Sequence, residues 1–253
     1  MTAYWLIIAA GLGAGFVNAI AGGGMLLTFP ALFYSGLPGL NSVTANATST
    51  AALWTGSLTI AWTYRHELRT NRQQVIALAV PSLIGGLAGA LLLINMPERA
   101  FRAVVPYLIL FACALQLLAD RIGRWMAARS TTHPRQHAVA LWLTQLAVAV
   151  YGGYFGAGIG ILMLAALAIF LPGDLQTANG MKNLLAFLIN ATAGMYFLAA
   201  GKVVWQIALI LILAVIIGGF VGARTAQRMS PRVLRAAVVL FGVIVAIHLM
   251  TQS

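Results

Sequence analysis

Apolar residues along this chain gather into ten runs, roughly 3–20, 25–36, 43–63, 74–95, 100–118, 138–155, 159–171, 176–199, 203–223 and 232–250. Polar and charged positions fall mostly between them. A full crossing of a bilayer's hydrocarbon core takes about 20 apolar residues, and 25–36 and 159–171 fall well short of that. Each short run follows a helix through a glycine break, Gly22-Gly23-Gly24 in one case and Gly152-Gly153 through Gly160 in the other. The pattern predicts, twice over, a hairpin that dips into the membrane and returns on a half-helix, followed by three full helices.

The two sets are related in sequence. At an offset of 133, Thr44, Ala45 and Asn46 fall on Thr177, Ala178 and Asn179, and Gly85, Gly86 and Gly89 fall on Gly218, Gly219 and Gly222. Met96, Arg99 and Arg102 fall on Met229, Arg232 and Arg235. At an offset of 134, Gly22 and Gly24 match Gly156 and Gly158, and Pro38-Gly39 matches Pro172-Gly173, so one inserted residue near position 41 reconciles the registers. Residues 1–119 thus form one transmembrane repeat, 120–137 a basic linker and 138–253 a second repeat. Two membrane helices interrupted at equivalent places are the usual walls of a binding site between repeats.

Charge orients this bundle. Arg121, Arg124, Arg129 and Arg135 make the linker strongly basic, which puts it in the cytoplasm by the positive-inside rule. Counting helices from there puts Arg65, Arg69 and Arg72 inside, and the returning hairpin puts Arg224, Arg228, Arg232 and Arg235 inside as well. Were 138–171 a single crossing, those last four would lie outside; Arg99 and Arg102 fall on the outer side in either case. Three net crossings per repeat is an odd number, so the second repeat is expected upside down relative to the first, with both termini periplasmic. Trp5, Trp62, Trp125, Trp142 and Trp205 fall near expected helix ends, where an aromatic belt forms.

With 61% hydrophobic and 8% charged residues and a mean hydropathy of +0.93, the chain has too little polar surface to coat a soluble globule. It is expected to be a multi-pass membrane protein with the lipid bilayer as its first partner. A net charge of +11 suggests nucleic acid in a soluble domain; here the arginines serve topology, and no nucleic acid partner is expected. Cys113 stands alone in an apolar run, which excludes a disulfide framework and a thiolate metal centre. No Lys or Arg precedes the first apolar run, so that run is expected to be a retained helix rather than a cleaved signal. Glu67, Glu98, Asp120 and Asp174 all fall in or beside loops, and no nucleophile has a base beside it. An enzyme has little support, and no cofactor is expected.

The candidate chemistry lies at the breaks. A half-helix that begins inside the bilayer aims its unpaired N–H groups and its positive dipole end at whatever lies there, an arrangement that favours a small anion. Gly22, Gly23, Gly24, Gly156, Gly158 and Gly160 would let the backbone approach a ligand and take positive φ; close helix packing is the other reading, and the better one for Gly85, Gly86, Gly89 and their partners. Lys182 is the one basic residue well inside an expected span. A cation there costs on the order of 3 kcal/mol, so it should face a partner or a water-filled cavity unless it snorkels to the interface. Asn18, Asn46, Thr48, Ser49, Asn179, Asn183 and Asn190 supply neutral hydrogen-bonding groups nearby, for a cavity wall or for helix-to-helix bonds.

The run Gly15-Phe-Val-Asn18-Ala-Ile-Ala-Gly22-Gly-Gly24-Met-Leu-Leu-Thr-Phe-Pro30, followed by Ser35-Gly36-Leu37 and Ala45-Asn-Ala-Thr48-Ser49, resembles the first signature of the sulfite exporter TauE/SafE family of membrane transporters. Gly156-Ala-Gly158-Ile-Gly160, with Thr177-Ala-Asn-Gly-Met-Lys182 and Asn190, resembles the second. The resemblance covers nearly the whole chain. It implies a bacterial inner-membrane protein that exports, or in some members takes up, small anions such as sulfite, sulfonates or carboxylates, and that forms a homodimer. Met181 before Lys182 and the sparser second glycine cluster depart from the family pattern, and both bear on cavity size. The substrate-binding set expected here is Asn18, Gly22, Gly23, Gly24, Asn46, Ser49, Gly156, Gly158, Asn179, Lys182 and Asn183. An anion channel, a carboxylate uptake permease and a membrane scaffold stay open as alternatives.

Overall fold

The computed structural model describes residues 2–20, 23–63, 72–128, 138–170, 175–225 and 231–251. Among them the chain is all α-helix: α1 Thr2–Ile20, α2 Met25–Phe33, α3 Ser42–Thr63, α4 Arg72–Asn95, α5 Glu98–Ala128, α6 Ala138–Tyr154, α7 Ile159–Phe170, α8 Leu175–Ala199, α9 Trp205–Thr225 and α10 Pro231–Thr251. Gly22, Arg65, Glu67, Arg69, Arg129, Arg135, Pro172, Gly173, Asp174, Arg228 and Met229, all named above, lie outside the described residues.

Helix bounds follow the apolar runs closely, with two exceptions. Helix α2 stops at Phe33, three residues short of the run's end: Ser35 Oγ donates to the Leu32 carbonyl at 2.7 Å, and Gly36 turns the chain at φ +65°. Helix α5 continues past residue 118 to Ala128, since charged residues leave the bilayer without leaving the helix. Asp120, expected beside a loop, is therefore a helical residue, and it pairs with Arg232 and Arg235 of α10.

The bundle is apolar on its surface as well as in its core, where Phe29, Phe101, Phe155 and Phe197 are buried, and its buried polar residues gather mainly on α3. Leu209, Leu213, Ile216, Ile217 and Phe220 of α9 are exposed, while Asn46, Thr48, Ser49 and Thr50 of α3 are buried. An apolar surface of that extent is stable where lipid covers it. Helices α1, α4, α5, α9 and α10 are long and apolar enough to cross a membrane. Helices α3 and α8, with 22 and 25 residues, are long enough too, but their polar residues lower their hydropathy. They form the inner pair, packed on one another, with Trp54 stacked on Phe187 at 6.2 Å. Since α1 is itself of crossing length, the first hairpin has unequal arms, 19 residues against nine in α2. Trp5 and Trp205 are exposed near helix starts and Trp142 is half-buried; the side chains of Trp62 and Trp125 lie outside the described set.

The repeats interlock. Helix α1 packs along α9 as its counterpart α6 packs along α4, α3 meets α9 as α8 meets α4, and α2 meets α10 as α7 meets α5. The same kinds of helix pair therefore recur on both sides. Glycine makes the longest seams possible. A methyl group on Gly11 would lie 2.6 Å from Ala214 Cβ, one on Gly85 2.5 Å from Ala149 Cβ, and one on Gly222 2.8 Å from Phe16. These glycines let backbones touch, the packing role expected for Gly85 and its relatives. We expect Gly85→Val to cost about 2–3 kcal/mol through overpacking, read as a lower melting temperature in detergent. Gly219→Ala should be mild, because its nearest contact would be Gly15 O at 3.8 Å.

Candidate substrate-binding site

The turn between α1 and α2 is built by Asn18. Its Oδ1 accepts the Gly24 N–H at 2.8 Å and so satisfies one of the donors that a helix start leaves unpaired. Gly23 sits at φ +96°, a region costly for any residue with a Cβ, and a side chain there would collide with the Gln116 amide. Gly24 has an ordinary φ of −55°, contrary to the expectation of positive φ. It is glycine for space: a methyl would lie 2.6 Å from the Ala14 carbonyl oxygen.

In the second break, Gly158 sits at φ +78° and faces Leu115 and Ala112 of α5. Tyr151 Oη donates to the Ala157 carbonyl at 2.6 Å and braces the turn. Gly160, also expected at positive φ, lies inside the first turn of α7, where the lack of a side chain makes room for Lys182. A methyl on Gly160 would lie 3.3 Å from Lys182 Cδ. The Lys182 stem thus lies across the N-terminal turn of α7, so a cation and a positive helix end share one place.

The two breaks come together. Gly23 abuts Gln116 and Gly158 abuts Leu115, neighbours on α5, while Met25 Sδ lies 3.4 Å from where a Gly156 methyl would stand. Helix α3 touches both. Ser49 Oγ is 2.5 Å from Thr28 Oγ1 of α2, and Asn46 Nδ2 donates to the Tyr154 carbonyl at 3.1 Å at the end of α6. Asn46 Oδ1 is buried and has no hydrogen-bond partner among the described residues. Asn190 Oδ1 lies 3.8 Å from a Gly156 methyl position. Asn183, half-buried and seven residues before it, shares its face of α8. No contact joins Asn183 directly to the breaks among those described, and the Asn179 side chain is outside the described set.

Sequence reading passed over Gln116 and Gln145. Both are buried, and Gln145 Nε2 donates to Ser82 Oγ of α4 at 2.9 Å. Each is a polar residue in an apolar run, the signal that singled out the asparagines. At the repeat offsets, 133 for the first and 134 for the second, they fall on Leu249 and Gly11, so the comparison of repeats gave no sign of them.

A bundle with a lipid-facing apolar coat, a polar inner helix pair and two broken helices meeting inside it defines a polytopic membrane transporter. The chain belongs to the sulfite exporter TauE/SafE family, whose model matches residues 7–249. It is 27% identical over 249 residues to the "Probable membrane transporter protein ORF9" of Sinorhizobium sp, covering 98% of this chain and 92% of that one. A "Probable membrane transporter protein" of Haemophilus influenzae is 25% identical, with 93% and 89% covered, and "Probable membrane transporter protein YfcA" of Escherichia coli K12 is 25% identical, with 95% and 87% covered. No solved structure matches the chain. Its kin are membrane transporters rather than enzymes, and its place is the bacterial inner membrane.

Proposed function

We infer that this chain is a secondary transporter that exports small sulfur-containing anions, sulfite or an organosulfonate, by alternating access between two inverted repeats. Both glycine breaks meet on one turn of α5, beside a lysine laid over the start of α7, and that juxtaposition carries the assignment. Two positive helix ends and an ammonium within a low-dielectric interior favour a negative solute. The anion sits at the two breaks, against the backbone at Gly23 and Gly158, with Lys182 as its counter-charge; the Gly24 and Gly156 N–H groups already donate to Asn18 Oδ1 and to the Tyr151 carbonyl. Asn18, Asn46 and Ser49 shape the surrounding wall.

Contacts within the chain support the hairpins. Asp120, the first residue of the 120–137 linker, holds Arg232 and Arg235 at the start of α10, so the linker end of α5 and the start of α10 share one face of the bundle. Helices α8 and α9 carry the chain across and back, which leaves α6 and α7 to return together to the face they left. In the first repeat the Arg102 guanidinium lies 5.6 Å from the Phe33 ring, which puts the end of α2 beside the start of α5, with α3 and α4 as the two crossings between. Three net crossings per repeat then make the repeats inverted.

The test is flux. Purified protein in proteoliposomes is expected to move labelled sulfite or sulfoacetate with saturation and counterflow. Unsaturable flux without counterflow would make it a channel, flux of carboxylates alone would make it a carboxylate permease, and an inert protein would leave the scaffold reading.

A further inference from the structure

Charge outside the glycine breaks gathers at the linker end of the bundle. There Arg232 Nε donates to Asp120 Oδ2 at 2.8 Å, and Arg235 Nη1 donates to Asp120 Oδ1. The two arginines differ in setting: the Arg232 side chain is 77% exposed, that of Arg235 only 21%. A guanidinium presents five N–H donors in a planar fork, so an acid on Nη1 leaves the Nε edge to be satisfied elsewhere. In Arg235 that Nε is buried and has no hydrogen-bond partner among the described residues. A buried donor on a charged group is costly to leave unmatched, which makes its persistence informative.

The position of Arg235 gives the vacant edge a meaning. Its charge acts on Lys182 of α8, whose stem lies on Gly160 of α7. Asp120 lies one helical turn beyond Gln116, the residue that abuts Gly23. One series thus runs from Gly23 through Gln116 and Asp120 to Arg235, another joins Lys182 to Gly160, and the charges of Arg235 and Lys182 interact across the space between them. Together they lead from one break towards the other by way of the linker end. Among the described residues, Asp120 is the acid of this cluster, set against three cations.

We propose that Arg235 is a second anion-binding residue, which receives an oxyanion on its buried Nε edge between the linker-side surface and the glycine breaks, while Asp120 holds the guanidinium in position. This rests on the anion-transport reading above. A sulfonate or sulfite offers two oxygens at the spacing of a guanidinium edge, and the paired hydrogen bonds select such oxyanions over halides. Asp120 acts as a positioning residue and touches no substrate.

The test uses the full chain in proteoliposomes and in detergent, with sulfite and methanesulfonate as probes. Arg235→Lys keeps the charge but loses the fork, and should raise KM about tenfold with kcat within about twofold. Arg232→Gln removes the exposed partner of the same acid and should leave KM within about twofold. In thermal unfolding at matched ionic strength, both anions should raise the melting temperature of the wild type and of Arg232→Gln, and should raise that of Arg235→Lys by less at the same concentration. An unchanged KM and an undiminished thermal shift in Arg235→Lys would overturn this site and leave the transport reading standing. If the wild type carries neither anion, the transport reading falls. The site then stands on a thermal shift reduced in Arg235→Lys, and falls too if the wild type shows no shift.

Discussion

In proteoliposomes, Lys182→Met lowers kcat/KM for sulfite or sulfonate by about a hundredfold, while the purified variant melts no lower than the wild type. The magnitude follows from losing a charge-assisted hydrogen bond of about 1.5–3 kcal/mol in a site where each 1.4 kcal/mol is tenfold. Methionine keeps the stem that crosses Gly160, so packing against α7 survives. The opposite signs are the useful part. An ammonium within a membrane bundle costs on the order of 3 kcal/mol on insertion scales, and its removal lifts that cost. A lysine that served only structure would show the reverse, with flux retained and stability lost. Flux within threefold of wild type from folded Lys182→Met would remove this residue from the anion site.

The helices were legible in the sequence because each must be apolar over a bilayer's thickness, and their ends were legible because arginines gather between the apolar runs. The glycine breaks were legible because two segments fell short of a crossing at equivalent places in two repeats. What the repeats do not share was hidden. Gln116 abuts Gly23 and Gln145 bonds to Ser82, yet their counterparts are Leu249 and Gly11, so no internal comparison marks them. The interlocking of α1 with α9 and of α6 with α4 was hidden as well. Small residues announce that a helix will be approached closely, but not by which neighbour. The glycines themselves divide by function in a way that composition cannot express. Gly23 and Gly158 are required by backbone angle, whereas Gly24 is required by the Ala14 carbonyl and Gly160 by the lysine stem. Asp120 looked like a loop residue because apolarity marks where a helix leaves lipid, not where it ends.

Gly158→Val should abolish transport, and Gly201→Val should not, although both place a β-branched residue at positive φ. The backbone cost is shared: φ is +78° at Gly158 and +66° at Gly201, and a left-handed conformation costs an L residue roughly 1–2 kcal/mol, more with β-branching. Both variants therefore melt lower than the wild type. Their surroundings separate them. Nothing lies within 4 Å of a methyl on Gly201, which sits in the turn between α8 and α9, so strain there goes no further. A methyl on Gly158 already lies 3.3 Å from Leu115 Cδ1 and 3.7 Å from Ala112, and valine's two further carbons push on the turn of α5 that carries Gln116 against Gly23. One substitution thus displaces both breaks, because α5 is the wall they share. Initial rates normalised to folded protein, with melting temperatures for the pair, decide the matter. Equal loss of flux at equal loss of stability would reduce Gly158 to a backbone requirement, and with it the claim that α5 joins two half-helix ends into one anion site.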